Sequence, residues 1–229
     1  NIGINNFNFL RFLFITEENQ EIERFFNGDY DLMGIGRAQW WRQRFVASEY
    51  DEIKRGLTQR RKTLTHVPAG ISGLAFNTNE WPFDDINVRK AFSYLWDVES
   101  LNNKLFFNEY YKGNSYWPFS KYEHPDNPKQ YYNPDKAVKL LTEAGWERQP
   151  GDKWLSKNGK IFEIDLYTYQ GWDRIHNFLV NNLEAIGIKL NLVVVQNPFD
   201  KYIDKSYTIY FGTWTGNILP DFEEMMHSK

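Results

Sequence analysis

The chain of 229 residues contains no cysteine, which excludes disulfide bonds, thiolate metal sites and a cysteine nucleophile. It also lacks any run approaching the ~18 apolar residues that a membrane-spanning helix requires. Its 27 Lys and Arg residues stand against 30 Asp and Glu residues, and no basic stripe is present. The sequence therefore offers no electrostatic footprint for a nucleic-acid partner.

Sequence signatures of enzymes and metal sites are also missing. No GxSxG, Walker or GxGxxG pattern occurs, and the four histidines have no metal-ligand spacing. The neighbouring carboxylates of Asp84 and Asp85 are better suited to capping a helix than to facing each other across a scissile bond. We therefore expect no catalysis, no cofactor and no metal.

Aromatic residues, in contrast, are abundant, with 9 Trp, 14 Tyr and 18 Phe. Such side chains supply core area and also line pockets for peptides and sugars. The local cluster around Trp40 and Trp41 includes Arg37. Either a Trp packs in the core under arginine stems, or the cluster forms a ligand wall with donors for carboxylates. Tyr116 and Trp117 present the same two alternatives.

Hydrophobic periodicity and capping residues predict alternating strands and helices, the pattern of an α/β domain. Predicted strands cover residues 7–15, 30–35, 61–67, 70–77, 161–168, 188–195 and 207–214. Predicted helices follow Thr16, Ser48, Asp84 or Asp85, Asn133 and Asn197, and cover residues 98–107 and 173–186. A hairpin is expected to turn at Asn158 and Gly159. The long aromatic loop over residues 108–132 has a length typical of functional loops.

One predicted strand ends in a position of functional interest. Trp214 closes the strand over residues 207–214, and Thr215, Gly216 and Asn217 follow it. Ligands of α/β sheets tend to bind outside such strand ends. Trp214 is therefore a candidate ligand contact.

Residues 73–97, GLAFNTNEWPFDDINVRKAFSYLWD, contain an apolar strand ending in Asn-Thr, then Pro-Phe, an Asp pair, Val-Arg-x-Ala and a terminal Asp. This order resembles the central motif of the bacterial extracellular solute-binding proteins of family 5, the peptide, nickel and oligopeptide receptors of ABC importers. Similar motifs of the family occur at residues 25–31, 133–146, 158–160 and 183–190. Residues 103–120 most resemble the oligopeptide and microcin C branch, with Trp117 in place of a Phe.

The resemblance implies an α/β lobe of the type II periplasmic-binding-protein fold, with a mixed sheet flanked by helices. Residues 1–214 would form a lobe II-like ligand-binding domain, and residues 215–229 would begin the return to lobe I. Asp84, Asp85, Arg89 and Asp97 would be mainly structural, with Arg89 paired to one of these acids.

The resemblance also implies a monomeric substrate-binding component of an ABC importer that delivers oligopeptides or peptide-like solutes to a membrane permease. An oligosaccharide ligand is the alternative, because some family members bind sugars. The location would be periplasmic or a cell-surface lipoprotein, with the signal sequence outside these residues. Peptide-binding relatives carry an acid three residues after a Trp like Trp214, where this chain has Asn217. The candidate ligand-binding residues are Arg37, Trp40, Trp41, Tyr116, Trp117, Trp214 and Asn217.

Overall fold

The computed structural model describes residues 7–63 and 70–215. The chain divides into two compact units, Asn1–Arg61 and Lys62–Lys229. The domain boundary at residue 214 stays a prediction, because the segment that would follow it, apart from Thr215, lies outside the described residues.

The first unit is built from short helical segments. Helix α1 spans Glu18–Phe26, a π-helical turn spans Trp40–Arg44, and α2 spans Asp51–Lys54. The rings of Phe26 and Tyr50 stack with centroids 3.9 Å apart, and Phe45 packs beside both. Aromatic stacking of this kind holds together a unit that has few other buried side chains.

Two predictions for the start of α1 and α2 were wrong by a residue or more. The N-cap of α1 is Glu17 rather than Thr16, and its carboxylate accepts a hydrogen bond from the Gln20 amide at 2.8 Å. This bond from the main chain is the main reason why the pKa of Glu17 lies below its usual value. Helix α2 begins after Tyr50 rather than after Ser48.

The strands predicted over residues 7–15 and 30–35 are not strands. Phe7, Phe9, Phe12 and Phe14 are instead strongly exposed. β-Forming composition stabilises a strand only through packing against a neighbouring strand, and neither segment has one among the described residues. Residues 61–63 are not a strand either, and residues 64–67 of that prediction lie outside the described part of the chain.

The second unit contains a four-stranded sheet formed by β1 (Ile71–Phe76), β4 (Glu163–Thr168), β5 (Lys189–Val194) and β6 (Ile209–Trp214). A separate hairpin, β2 (Ser156–Lys157) and β3 (Lys160–Ile161), turns at Asn158 and Gly159 as predicted. The order in the sheet is β1-β6-β4-β5. Strand β1 is antiparallel to β6, whereas β4 is parallel to both β5 and β6, so the sheet is mixed.

The second unit also contains helices α3 (Ile86–Phe92), α4 (Val98–Leu105), α5 (Pro134–Glu143), α6 (Asp173–Ile186) and α7 (Pro198–Ile203). Their caps follow the sequence signals. The side chains of Asp85, Asp97 and Asn133 accept hydrogen bonds from main-chain amides in the first turns of α3, α4 and α5. Gly187 ends α6 at φ 93°, a conformation that favours glycine.

The core lies on one face of the sheet. Along β4, Ile164, Leu166 and Thr168 are buried, while the side chains between them are half-exposed. Trp146 and Phe162 stack beside the start of β4, with ring centroids 4.1 Å apart. Each such apolar side chain contributes roughly 1.5–3 kcal/mol when fully buried.

Arg89 does not have the acidic partner expected from the sequence. Its guanidinium donates instead to the main-chain carbonyl oxygens of Phe83 at 2.6 Å and Asp84 at 3.1 Å. The segment before α3 turns so that its carbonyl groups point at the helix, and Asp85 is already engaged as the N-cap. Arg89 therefore contacts the main chain instead of an acid, and its structural role stays a prediction.

No helix within residues 7–63 and 70–215 is long and apolar enough to cross a membrane.

Candidate functional site

The candidate site of the second unit is the edge of the sheet at which β4 and β6 end. These strands are parallel, so their carboxyl ends, at Thr168 and Trp214, lie at the same edge. Residues 169–172 lead from β4 into α6, and the Tyr169 hydroxyl donates to Asn197 Oδ1 at 3.2 Å. Sheets of this kind bind ligands outside the carboxyl ends of their strands.

Trp214 is half-buried at the end of β6, where it pairs with Ile71 of β1. Its ring lies over Gly212. A Cβ atom on Gly212 would lie 3.0 Å from the Trp214 ring and 2.6 Å from the ring of Tyr210. Only glycine leaves room for both rings on this face of β6. Asn217, the second predicted contact at this edge, lies outside the described residues.

A cluster of tyrosine side chains lies on the same face of β6 as Trp214. Tyr210 packs against Tyr202 of α7 and against Tyr207, with centroid distances of 5.1 and 6.0 Å. Burial raises the pKa of both Tyr207 and Tyr210. These phenols therefore stay neutral over the ordinary pH range and act as packing and hydrogen-bonding groups.

A second cluster lies on the opposite face of β6, around His176. This side chain is 2% exposed, its Nδ1 lies 2.9 Å from Thr168 Oγ1, and its ring meets the Phe211 ring at 5.0 Å. Its Nε2 is buried and has no hydrogen-bond partner among residues 7–63 and 70–215. Burial lowers the pKa of His176 to about 4, so the imidazole is neutral near pH 7.

The sequence interpretation missed this cluster, although one signal was present. His176 shares helical spacing with Leu179, Leu183 and Ile186, all of which are buried on α6. That spacing places the imidazole on the apolar face of the helix. What the spacing could not provide is the partner, Thr168, which belongs to another element.

In the long loop, the two neighbouring aromatic residues have different environments. Trp117 is 6% exposed, whereas Tyr116 is 43% exposed. The amide of Trp117 donates to Ser115 Oγ at 3.1 Å, and its carbonyl oxygen accepts from Ser120 Oγ at 2.8 Å. Trp117 thus anchors the loop, and Tyr116 is the more accessible ring. Contact of either residue with a ligand stays a prediction.

In the first unit, the structure brings Arg37, Trp40 and Trp41 into one region. The guanidinium carbons of Arg37 and Arg44 lie 5.5 and 5.6 Å from the Trp40 ring centroid, and that of Arg60 lies 4.1 Å from Trp41. Arg37 also forms an ion pair with Glu18. Arginine side chains thus lie over both indoles, although neither Trp is buried in a core as one alternative expected. A ligand role for these residues stays a prediction.

The described residues show no cluster of the kind that holds a metal ion. Within residues 7–63 and 70–215, no group of three or more His, Asp or Glu side chains could hold a metal ion. Of the neighbouring residues Asp84 and Asp85, the Asp85 carboxylate caps α3. The arrangement of the site is one of aromatic surfaces and neutral hydrogen-bonding groups.

The second unit thus has an α/β fold with a mixed sheet. Residues 3–228 match the sequence model of the bacterial extracellular solute-binding proteins, family 5 Middle. The chain therefore belongs to family 5, as the motifs predicted.

Relatives and solved structures agree with this assignment. Uncharacterized protein y4wM of Sinorhizobium fredii is 24% identical over 98% of this chain and 39% of its own length. The oligopeptide-binding protein AppA of Bacillus subtilis is 29% identical over 73% of this chain and 33% of its own length. The chain thus spans well under half the length of these relatives.

The structure of AppA in complex with a nonapeptide superposes with a TM-score of 0.69 at 22% identity, covering 92% of this chain and 41% of AppA. The periplasmic oligopeptide-binding protein of Thermotoga maritima, with mannohexaose bound, gives 0.64 at 17% identity over 91% of this chain and 40% of its own. At these identities the likeness concerns the fold, and it confirms the predicted α/β fold with a mixed sheet.

Proposed function

We propose that this chain is part of the substrate-binding component of an ABC importer, which captures oligopeptides or peptide-like solutes and delivers them to a membrane permease. The observation that carries the proposal is family membership over residues 3–228. The oligopeptide-binding name of AppA supports the ligand class. The receptor would act as a monomer outside the cytoplasm, in the periplasm or as a cell-surface lipoprotein, and would make or break no bond.

In the second unit, the proposed ligand contacts are Trp214 at the sheet edge, Tyr116, Trp117 and Asn217. In the first unit, considered by itself, they are Arg37, Trp40 and Trp41. Aromatic faces would contribute apolar contact area, and main-chain and amide groups would supply hydrogen bonds. Asn217 stands where peptide-binding relatives carry an acid. An amide cannot neutralise an ammonium group, so we expect only weak dependence on a free peptide amine.

The test is calorimetry of the full-length protein with a panel of oligopeptides, each in free and N-acetylated form. At least one peptide should bind, and acetylation should change its Kd by less than about tenfold, the factor that 1.4 kcal/mol represents. Mass spectrometry of the recovered peptides should show them intact. Cleaved peptides, or no binding to any peptide or sugar tested, would contradict the proposal.

An oligosaccharide is the second candidate ligand, and a specific observation favours it. A structure with the same fold, that of Thermotoga maritima, holds mannohexaose. The chain also carries 9 Trp residues, whose rings stack well on the apolar faces of pyranoses. Adding manno-oligosaccharides to the same calorimetric panel separates the two candidates, and competition between a peptide and a sugar would show a shared site.

A further inference from the structure

Trp172 lies beside the candidate edge and is open on one side. It is 40% exposed, although its ring meets Phe211 of β6 at 5.7 Å and His176 of α6 at 6.2 Å. Packing therefore holds part of the indole, and the rest faces solvent. A partly held aromatic ring of this kind is suited to contact with another molecule because little freedom is left to lose on binding.

The side chain of Trp172 does not cap its helix, whose first turn is bonded to the main-chain carbonyl of this residue. Trp172 is the residue before the first turn of α6, where Ser, Thr, Asp or Asn would cap the helix, and it makes no side-chain capping bond. Gly171 precedes it at φ 87°, and no described atom lies within 4 Å of the position that a Cβ on Gly171 would take. The space beside Trp172 is open among the described residues. Departures from local preference of this kind are expected at functional positions.

The packing beneath Trp172 connects helix α6 with strands β4 and β6. His176 lies one turn further along α6, and its hydrogen bond to Thr168 joins the start of the helix to the end of β4. Its ring is also set against Phe211 at an interplanar angle of 67°. Any displacement of His176 would remove the support on which the indole rests.

We propose that Trp172 is a ligand-contact residue that stacks against the apolar face of a ring in the bound solute, and that His176 is the positioning residue that holds the indole in place. The inference rests on the proposed function. The ring it requires is found both in a Phe, Tyr or Pro side chain of a peptide and in a pyranose of an oligosaccharide. Trp172 would be a further ligand contact beside those predicted from the sequence. It packs on the face of β6 opposite to the face that carries Trp214.

The test uses the full-length protein and compares Trp172→Leu and Trp172→Phe with a control, Trp154→Ala. Trp154 lies at the other end of α6, since Lys153 pairs with Glu184 at 2.5 Å and the Leu155 amide donates to the Gly187 carbonyl at 2.7 Å. Calorimetric probes are a Phe- and Pro-containing oligopeptide series and mannohexaose. Trp172→Leu should weaken binding about tenfold, Trp172→Phe should keep most of the affinity, and Trp154→Ala should change nothing.

A spectroscopic measurement separates contact from a general structural effect. Ligand should protect tryptophan fluorescence from acrylamide quenching in the wild-type protein and in Trp154→Ala, and this protection should be smaller in Trp172→Phe. For the positioning residue, His176→Asn can keep a bond to Thr168 and should retain affinity within about threefold, whereas His176→Leu should lose about tenfold. Circular dichroism of each variant checks that it is folded.

The outcomes distinguish the two proposals. If the wild-type protein binds neither probe series, the proposed function fails. If the wild type binds and Trp172→Leu binds equally well, the function stands and the contact at Trp172 is wrong. Equal affinity of His176→Asn and His176→Leu would refute the positioning role. The probe series that loses affinity identifies the source of the ring.

Discussion

Acidification should destabilise the chain through His176. Burial lowers its pKa from 6.5 to about 4 in the folded state, while the nearby Asp173 opposes this in part. Below pH 6.5 the unfolded chain binds a proton that the folded chain rejects. The stability contributed by neutral His176 is therefore fully present above pH 6.5 and is lost as the pH falls toward 4.

The two pKa values set the magnitude. Between pH 7 and pH 5 the free energy of unfolding falls by about 2 kcal/mol. Below pH 4 the total loss reaches a limit of about 3 kcal/mol. Glu17 and Glu163 contribute outside this window, since the pKa of each lies below 4.5 in the folded state. Comparison with a variant that lacks this imidazole isolates the contribution of His176 between pH 7 and pH 5.

Urea unfolding at a series of pH values, followed by circular dichroism, measures this loss in the wild type and in His176→Asn. The variant has no titrating group at this position but can still bond to Thr168. Its free energy of unfolding should change by about 2 kcal/mol less than that of the wild type between pH 7 and pH 5. Parallel pH profiles for the two proteins would refute the assignment of a buried neutral imidazole.

Substitutions at three further positions test the packing and the helix start. Gly212→Ala should destabilise by about 1–3 kcal/mol and shift Trp214 fluorescence, because the new Cβ meets the indole; unchanged emission and stability would contradict this. Asn133→Ala should cost about 1 kcal/mol in thermal unfolding, while Asn133→Asp should keep the cap bond to the Lys136 amide. Arg89→Ala should cost about 1.5–3 kcal/mol through its lost carbonyl bonds and leave ligand affinity of the full-length protein unchanged. Lost binding at unchanged melting temperature would make Arg89 a ligand contact instead.

Helices with strong local signals could be predicted from the sequence. For α5, Asn133 supplies a cap and Pro134 occupies the first turn, so the start of the helix is encoded within a few residues. For α6, Gly187 supplies the left-handed ending. Such signals need no knowledge of the rest of the fold, which is why the bounds predicted for α6 match the observed ones.

The absence of strands over residues 7–15 and 30–35 could not be predicted from such local signals. Residues 7–15 have the composition of a strand, but a strand forms only where another strand offers its main-chain groups. Nothing within a segment reports whether that neighbour exists. The strands that were predicted correctly, such as β4 and β6, are those that pair with each other.

The site shows the same limit at the level of side chains. The position of Arg89 on α3 indicated that a partner was near, but not that the partner would be the carbonyl oxygens before the helix. The sequence of the long loop likewise marked Trp117 as aromatic without showing that its ring is buried and anchors the loop. Burial of a loop residue depends on elements distant in sequence.

The register of β6 links the two aromatic clusters of the candidate edge. Side chains alternate along a strand, so Phe211 points toward His176 while Trp214 lies on the opposite face with Tyr210. A slip by one residue would exchange the two faces and move both clusters at once. The register is held on one side by β1, where Ser72 and Thr213 hydroxyls lie 2.8 Å apart, and on the other by β4. Because one central strand sets both faces, Trp214 and the support of Trp172 stay in fixed relation at the edge where we propose that the solute binds.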